Sequence, residues 1–105
     1  MIPSFRLYVV ELDASVRASR RFRRENDAGD ERCLYVGSTA HAPEHRFEQH
    51  KAGRFSNRGW VQKFGRWLRY DLMGNATFQT RESAEQAERE LADALRSQGY
   101  SVWSR

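Results

Sequence analysis

A single cysteine, only two lysines and no long apolar run set the outer limits on what this chain of 105 residues can be. With Cys33 alone no internal disulfide can form, and thiolates by themselves cannot build a zinc site. Within CLYVG, Cys33 reads as a small buried hydrophobe. No apolar stretch approaches the roughly 18 residues that a membrane span requires. The opening MIPSFRLYVVELD lacks the basic start and cleavage site of a secretory signal. The expectation is a soluble, cytoplasmic chain with no membrane partner. Internal repeats, linkers and low-complexity segments are also missing, so residues 1–105 are expected to form one domain.

What is present is a core and a positive charge. The apolar fraction is 39% and the aromatic fraction 12%, enough for one folded core, while 30% charged residues and a mean hydropathy of -0.86 describe a well-solvated surface. The net charge of +4 and pI of 9.7 tilt the chain towards polyanions. Because lysine occurs only at positions 51 and 63, the other basic residues are arginines. Two explanations stand side by side: a coding bias, or a need for guanidinium groups, which grip phosphate in a bidentate way and stack on bases.

Along the chain, SFRLYVVEL (Ser4 to Leu12) and CLYVG (Cys33 to Gly37) are short, continuous and rich in β-branched and aromatic residues, as buried strands are. Between them lies a polar segment whose first half carries Arg17, Arg20, Arg21, Arg23 and Arg24 and whose second half is acidic. It reads either as a solvated, partly mobile loop or short helix, or as a phosphate-contacting arm. A helix is expected from Pro43 to about Gly53, with Glu44 suiting its first turn. A shorter helix is expected around Trp60–Phe64, stopped by Gly65. WLRYDLM (Trp67 to Met73) reads as a third strand and FQT as an extension of the sheet or a lead into the last helix. That helix runs from about Glu82 to Ser97, capped by Thr80 and ended near Gly99, with a tail YSVWSR whose aromatics can pack back on the body.

The last helix holds an anomaly. Ala84, Ala87, Leu91 and Leu95 mark an inward stripe, and Glu88 stands inside it or at its edge. A buried carboxylate needs a cation, a donor network or a wet cleft, so three readings remain open: a salt bridge, a rotated and half-exposed helix, or a metal ligand. Glu85, about 60° further round, is the nearby rival. On the earlier helix Arg46 and His50, four residues apart, share a face and form either a surface pair or a phosphate-handling pair. Tyr8 and Tyr35 sit in strands as core residues or as site residues.

Taken together these pieces resemble the GIY-YIG nucleases. RLY (Arg6 to Tyr8) and YVG (Tyr35 to Gly37) match the two halves of the motif, HRFEQHKAG is similar to the segment that follows it, and Ala84, Glu88 and Leu91 match the closing signature. Arg6 stands where the family has glycine, Val36 where it has isoleucine, residues 13–32 form an arginine-rich insertion, and the usual late asparagine has no counterpart in SQGYSVWSR.

The resemblance implies an α/β (α+β) module with a small three-stranded antiparallel sheet flanked by helices. It implies an endonuclease that hydrolyses phosphodiester bonds with one divalent metal, Mg²⁺ or Mn²⁺; DNA is the expected substrate, with RNA left open. Carried over by position, Glu88 would bind the metal, Arg46 would contact the scissile phosphate, and Tyr8, Tyr35 and His50 would line the site, with Tyr8 as the general base. From Arg46 to Arg69 seven basic residues face Glu48 alone, and Lys51, Arg54, Arg58 and Lys63 are candidates for contact with nucleic acid. In the same stretch Phe55, Trp60 and Phe64 belong either to the core or to a binding groove. Strong sequence specificity would need a homodimer, the insertion or a partner protein. The rival readings are a compromised module that binds nucleic acid without cutting it, and a small basic protein-interaction domain.

Overall fold

The computed structural model describes residues 4–24, 32–54 and 59–104. Its centre is β1 (Phe5–Leu12) paired antiparallel with β2 (Cys33–Thr39), in a register that sets Tyr8 opposite Gly37 and Val10 opposite Tyr35. Both strands are apolar on both faces: Val9, Val10, Leu34 and Val36 are fully buried, and Cys33 with them, as expected of a small hydrophobe. On its other edge β1 pairs antiparallel with β3 (Gly65–Leu68) and, further along, with β4 (Thr77–Phe78). The antiparallel trio β3-β1-β2 is the sheet that the motif implies. β5 (Ser101–Ser104) extends it by pairing in parallel with β2, giving the order β3-β1-β2-β5.

The tail therefore becomes a strand, with Val102 and Trp103 buried. A parallel partner must be reached by a crossover, and here the path from β2 to β5 runs through α5 (Arg81–Ser97), so no local alternation announces it. At the other edge the third strand is shorter than WLRYDLM suggests. It stops at Leu68, and Tyr70–Met73 form one helical turn, α4. The cause is Arg69: its N–H still bonds to Val9 O at 2.8 Å, but its guanidinium forks between Glu11, at 2.7 Å, and Asp71, which turns the chain out of the sheet.

The helices form where the sequence places them. α2 (Pro43–Lys51) begins on its proline, with Glu44 in its first turn, and α3 (Trp60–Phe64) ends at Gly65. The side chain of Thr80 accepts the Ser83 N–H at 3.1 Å to cap α5, whose inward stripe is Ala84, Glu88, Ala92 and Leu95. Gly99, at φ 101, supplies the left-handed turn that lets Tyr100 N–H reach back to Leu95 O and releases the chain into β5. Between β1 and β2 lie a 3₁₀ helix (Ala14–Ala18) and α1 (Arg20–Arg24), where a solvated loop or short helix was one expectation; the short helices form, but they are not wholly solvated. Val16 and Phe22 are fully buried. Trp60 and Trp103 give Phe22 an aromatic seat, at ring separations of 5.8 and 6.3 Å. No described helix is long and apolar enough to cross a membrane.

Candidate active site

Opposed residues of an antiparallel pair project to the same side of a sheet, so Tyr8, Tyr35 and Gly37 share one face. α2 covers that face with His50, whose ring lies 5.8 Å from Tyr8 and 5.6 Å from Tyr35, while the two tyrosines stack at 6.1 Å. All three are buried, and a hydrogen bond of 2.8 Å joins Tyr8 Oη to His50 Nε2. The stack depends on Gly37: a Cβ at that position would lie 2.5 Å from Tyr8 Cζ and 2.9 Å from Cε1, inside contact distance. Within the sequence Gly37 enters only as the last letter of a motif. The signal that marks it is a glycine inside an otherwise continuous apolar strand.

Electrostatics bring two more elements to this point. Burial and the neighbouring Tyr35 hydroxyl push the Tyr8 pKa up, Glu88 adds in the same direction, and the Arg46 guanidinium opposes them. Arg46 on α2 and Glu88 on α5 thus both act on the Tyr8 hydroxyl, although they lie far apart in sequence. Glu88 is 2% exposed, so α5 turns this carboxylate inward, whereas Glu85, the rival, is half-buried. Arg46 is also half-buried and is the one of the five residues at the solvent boundary. An anion would enter there.

His50 is pushed down to about 4, first by burial and then by the Arg46 charge. It is neutral at pH 7, and its Nδ1 has no hydrogen-bond partner among the described residues. The unfolded chain would protonate this histidine near ~6.5. The unfolded state therefore binds more protons between pH 6.5 and 4, and folding stability falls as pH drops through that window, by up to about 3 kcal/mol. We expect the His50 imidazole NMR signals to hold their neutral positions down to pH 5. A transition near 6.5 would mean that the ring is solvated and charged.

The basic stretch divides. Arg66 is paired with Asp13 at 2.6 Å and Arg69 with Glu11 and Asp71, so acids elsewhere in the chain compensate these two cations. Lys51 donates to Gly65 O at 2.9 Å and Gln62 O at 3.3 Å, tying α2 to α3. Arg54 and Lys63 are exposed, and Arg58, with Phe55, lies outside the described residues. Trp60 is buried and Phe64 half-buried against the core, which settles those two aromatics as packing.

Among the described residues no group of three or more His, Cys, Asp and Glu side chains is placed to hold a metal. A small hard dication does not require such a cage. It keeps several waters and uses one or two carboxylates together with substrate phosphate, a role that a single inward glutamate fits.

The family model described as the GIY-YIG catalytic domain matches residues 23–101. The matched range includes Tyr35, Arg46, His50 and Glu88 and begins after β1, so Tyr8 joins the group through its contacts. No curated protein and no solved structure matches the chain.

Proposed function

The chain belongs to the GIY-YIG family, a family of nucleases, and from that membership we propose that it is an endonuclease hydrolysing phosphodiester bonds in DNA with one divalent metal, Mg²⁺ or Mn²⁺. The observation that carries this reading is the convergence of β1, α2 and α5 on the Tyr8 hydroxyl. It is bonded to a neutral histidine and lies within the fields of one arginine and one buried carboxylate.

Glu88 would hold the metal, which when bound supplies charge stabilisation at the phosphoryl and leaving oxygens. Arg46 binds a non-bridging oxygen of the scissile phosphate at the mouth of the site and shares the negative charge that develops there. Tyr8 as a free tyrosinate is costly here, because burial, Tyr35 and Glu88 all oppose its ionisation. The hydrogen bond to His50 removes that requirement. As water attacks phosphorus, Tyr8 Oη, its own proton held by the neutral His50 Nε2, accepts a hydrogen bond from that water and orients it; the water's proton passes to a non-bridging phosphoryl oxygen and from there to the leaving sugar oxygen as the bond from phosphorus to that oxygen breaks. Tyr35 packs both rings and excludes solvent.

The direct test is nicking of supercoiled plasmid by purified protein with Mg²⁺ or Mn²⁺, against an EDTA control. Arg46→Ala is expected to lower the rate by about 10²–10³, the usual loss when a transition-state charge partner is removed, and Arg46→Lys to restore part of it. Duplex binding without metal-dependent nicking by the wild type would replace this reading with that of a non-cutting module.

A further inference from the structure

The insertion has no part in the chemistry above, yet the fold anchors it firmly. Phe22 is fully buried between Trp60 of α3 and Trp103 of β5. Trp103 stands beside Tyr35 in the parallel β2–β5 register, so Phe22 seats α1 on the same sheet face that carries Tyr8 and Tyr35. Burying Phe22 also fixes what its neighbours do: Arg20, Arg21, Arg23 and Arg24 are all exposed. None of these four guanidinium groups pairs with a described carboxylate, whereas Arg66, Arg69 and Arg96 each hold one. Four like charges on little more than one helical turn repel one another. Such an arrangement is relieved when a polyanion neutralises it, and the guanidinium fork is the group suited to phosphate.

Position gives this patch a partner. The seat of Phe22 on β5 lies two strands across the same face from Tyr8 on β1 and two residues further along, since Trp103 stands beside Tyr35 while Tyr8 opposes Gly37. We infer that α1 is a backbone clamp: Arg20, Arg21, Arg23 and Arg24 hold duplex DNA by its phosphates, to one side of the bond that is cut, without reading bases. The placement relative to the cut rests on the nuclease reading; the clamp itself does not.

The test measures binding of the full chain to fluorescein-labelled 20-base-pair duplexes of two unrelated sequences, by anisotropy in EDTA over a range of NaCl concentrations. Three variants are compared with the wild type: one with all four arginines changed to Gln, one with Arg20→Gln and Arg24→Gln only, and one with all four changed to Lys. Each phosphate contact contributes about 0.9 to the slope of log K against log[salt]. The four-Gln variant is expected to lose two to four units of slope and at least tenfold in affinity at 0.1 M NaCl, equally on both sequences. The two-Gln variant should lose about half as much slope, and the Lys variant should recover most of it. Unchanged slope in both Gln variants, a loss confined to one sequence, or no duplex affinity in the wild type would overturn the clamp. Because no cleavage enters this measurement, a reduced slope in a protein that never nicks supports the clamp and removes the hydrolytic reading. Nicking by a wild type whose four-Gln variant keeps its slope removes the clamp alone.

Discussion

Replacing Glu88 by Gln is expected to lower metal-dependent nicking at least about a thousandfold, a loss of roughly 4 kcal/mol of transition-state stabilisation, while leaving the folded protein in EDTA about as stable as the wild type. A carboxylate 2% exposed is costly to keep charged. An amide of the same shape keeps a hydrogen-bonding group at that place while forfeiting most of its affinity for a hard dication. Mn²⁺ should therefore raise the melting temperature of the wild type and not that of the variant, since only a state that binds the ion is stabilised by it. If Glu88 merely paired with an arginine, the variant would leave a buried cation uncompensated and lose about 3–5 kcal/mol of stability in EDTA, with nicking unaffected in a protein still folded. The two accounts predict opposite results in both measurements.

Glu88 was legible in the sequence because a helix carries its own ruler. Thr80, Gly99 and the stripe through Ala84, Leu91 and Leu95 fix both ends of α5 and its inward face, so a charged residue on that face stands out without any knowledge of the partner. Arg46 and His50 were legible as a pair for the same reason, one turn apart on α2. Their depth was not: that His50 is buried and neutral while Arg46 lies at the boundary depends on the two tyrosines packed beneath them. Contacts between distant segments left no local trace at all. β5 needs β2 as its parallel neighbour, Phe22 needs Trp60 and Trp103, and Arg66 and Arg69 find Asp13 and Glu11 far back along the chain. Counting charge along the chain therefore overstated the basic surface after α2, and composition alone left open whether the arginines of α1 belonged to a solvated loop or a phosphate-contacting arm.

Gly37→Ala is expected to disturb the site through a single added methyl group. Its Cβ would fall 2.5 Å from Tyr8 Cζ and closer still to the hydroxyl, so the ring must swing away. Both strands are held over seven registered pairs and cannot open to make room, which leaves Tyr8 as the part that moves. Overpacking of this kind costs about 1–3 kcal/mol in stability. The functional loss is expected to be greater, at about a hundredfold or more in nicking rate, because the displaced hydroxyl no longer meets His50 Nε2, and misplacement of a reacting group by about 1 Å is enough for a loss of that size. The cause can be isolated with Tyr8→Leu, which removes the ring that the new methyl strikes. In that background Gly37→Ala should cost well under half as much stability as it does beside tyrosine. Equal costs in the two backgrounds would place the strain in the strand itself and separate Gly37 from the positioning of Tyr8.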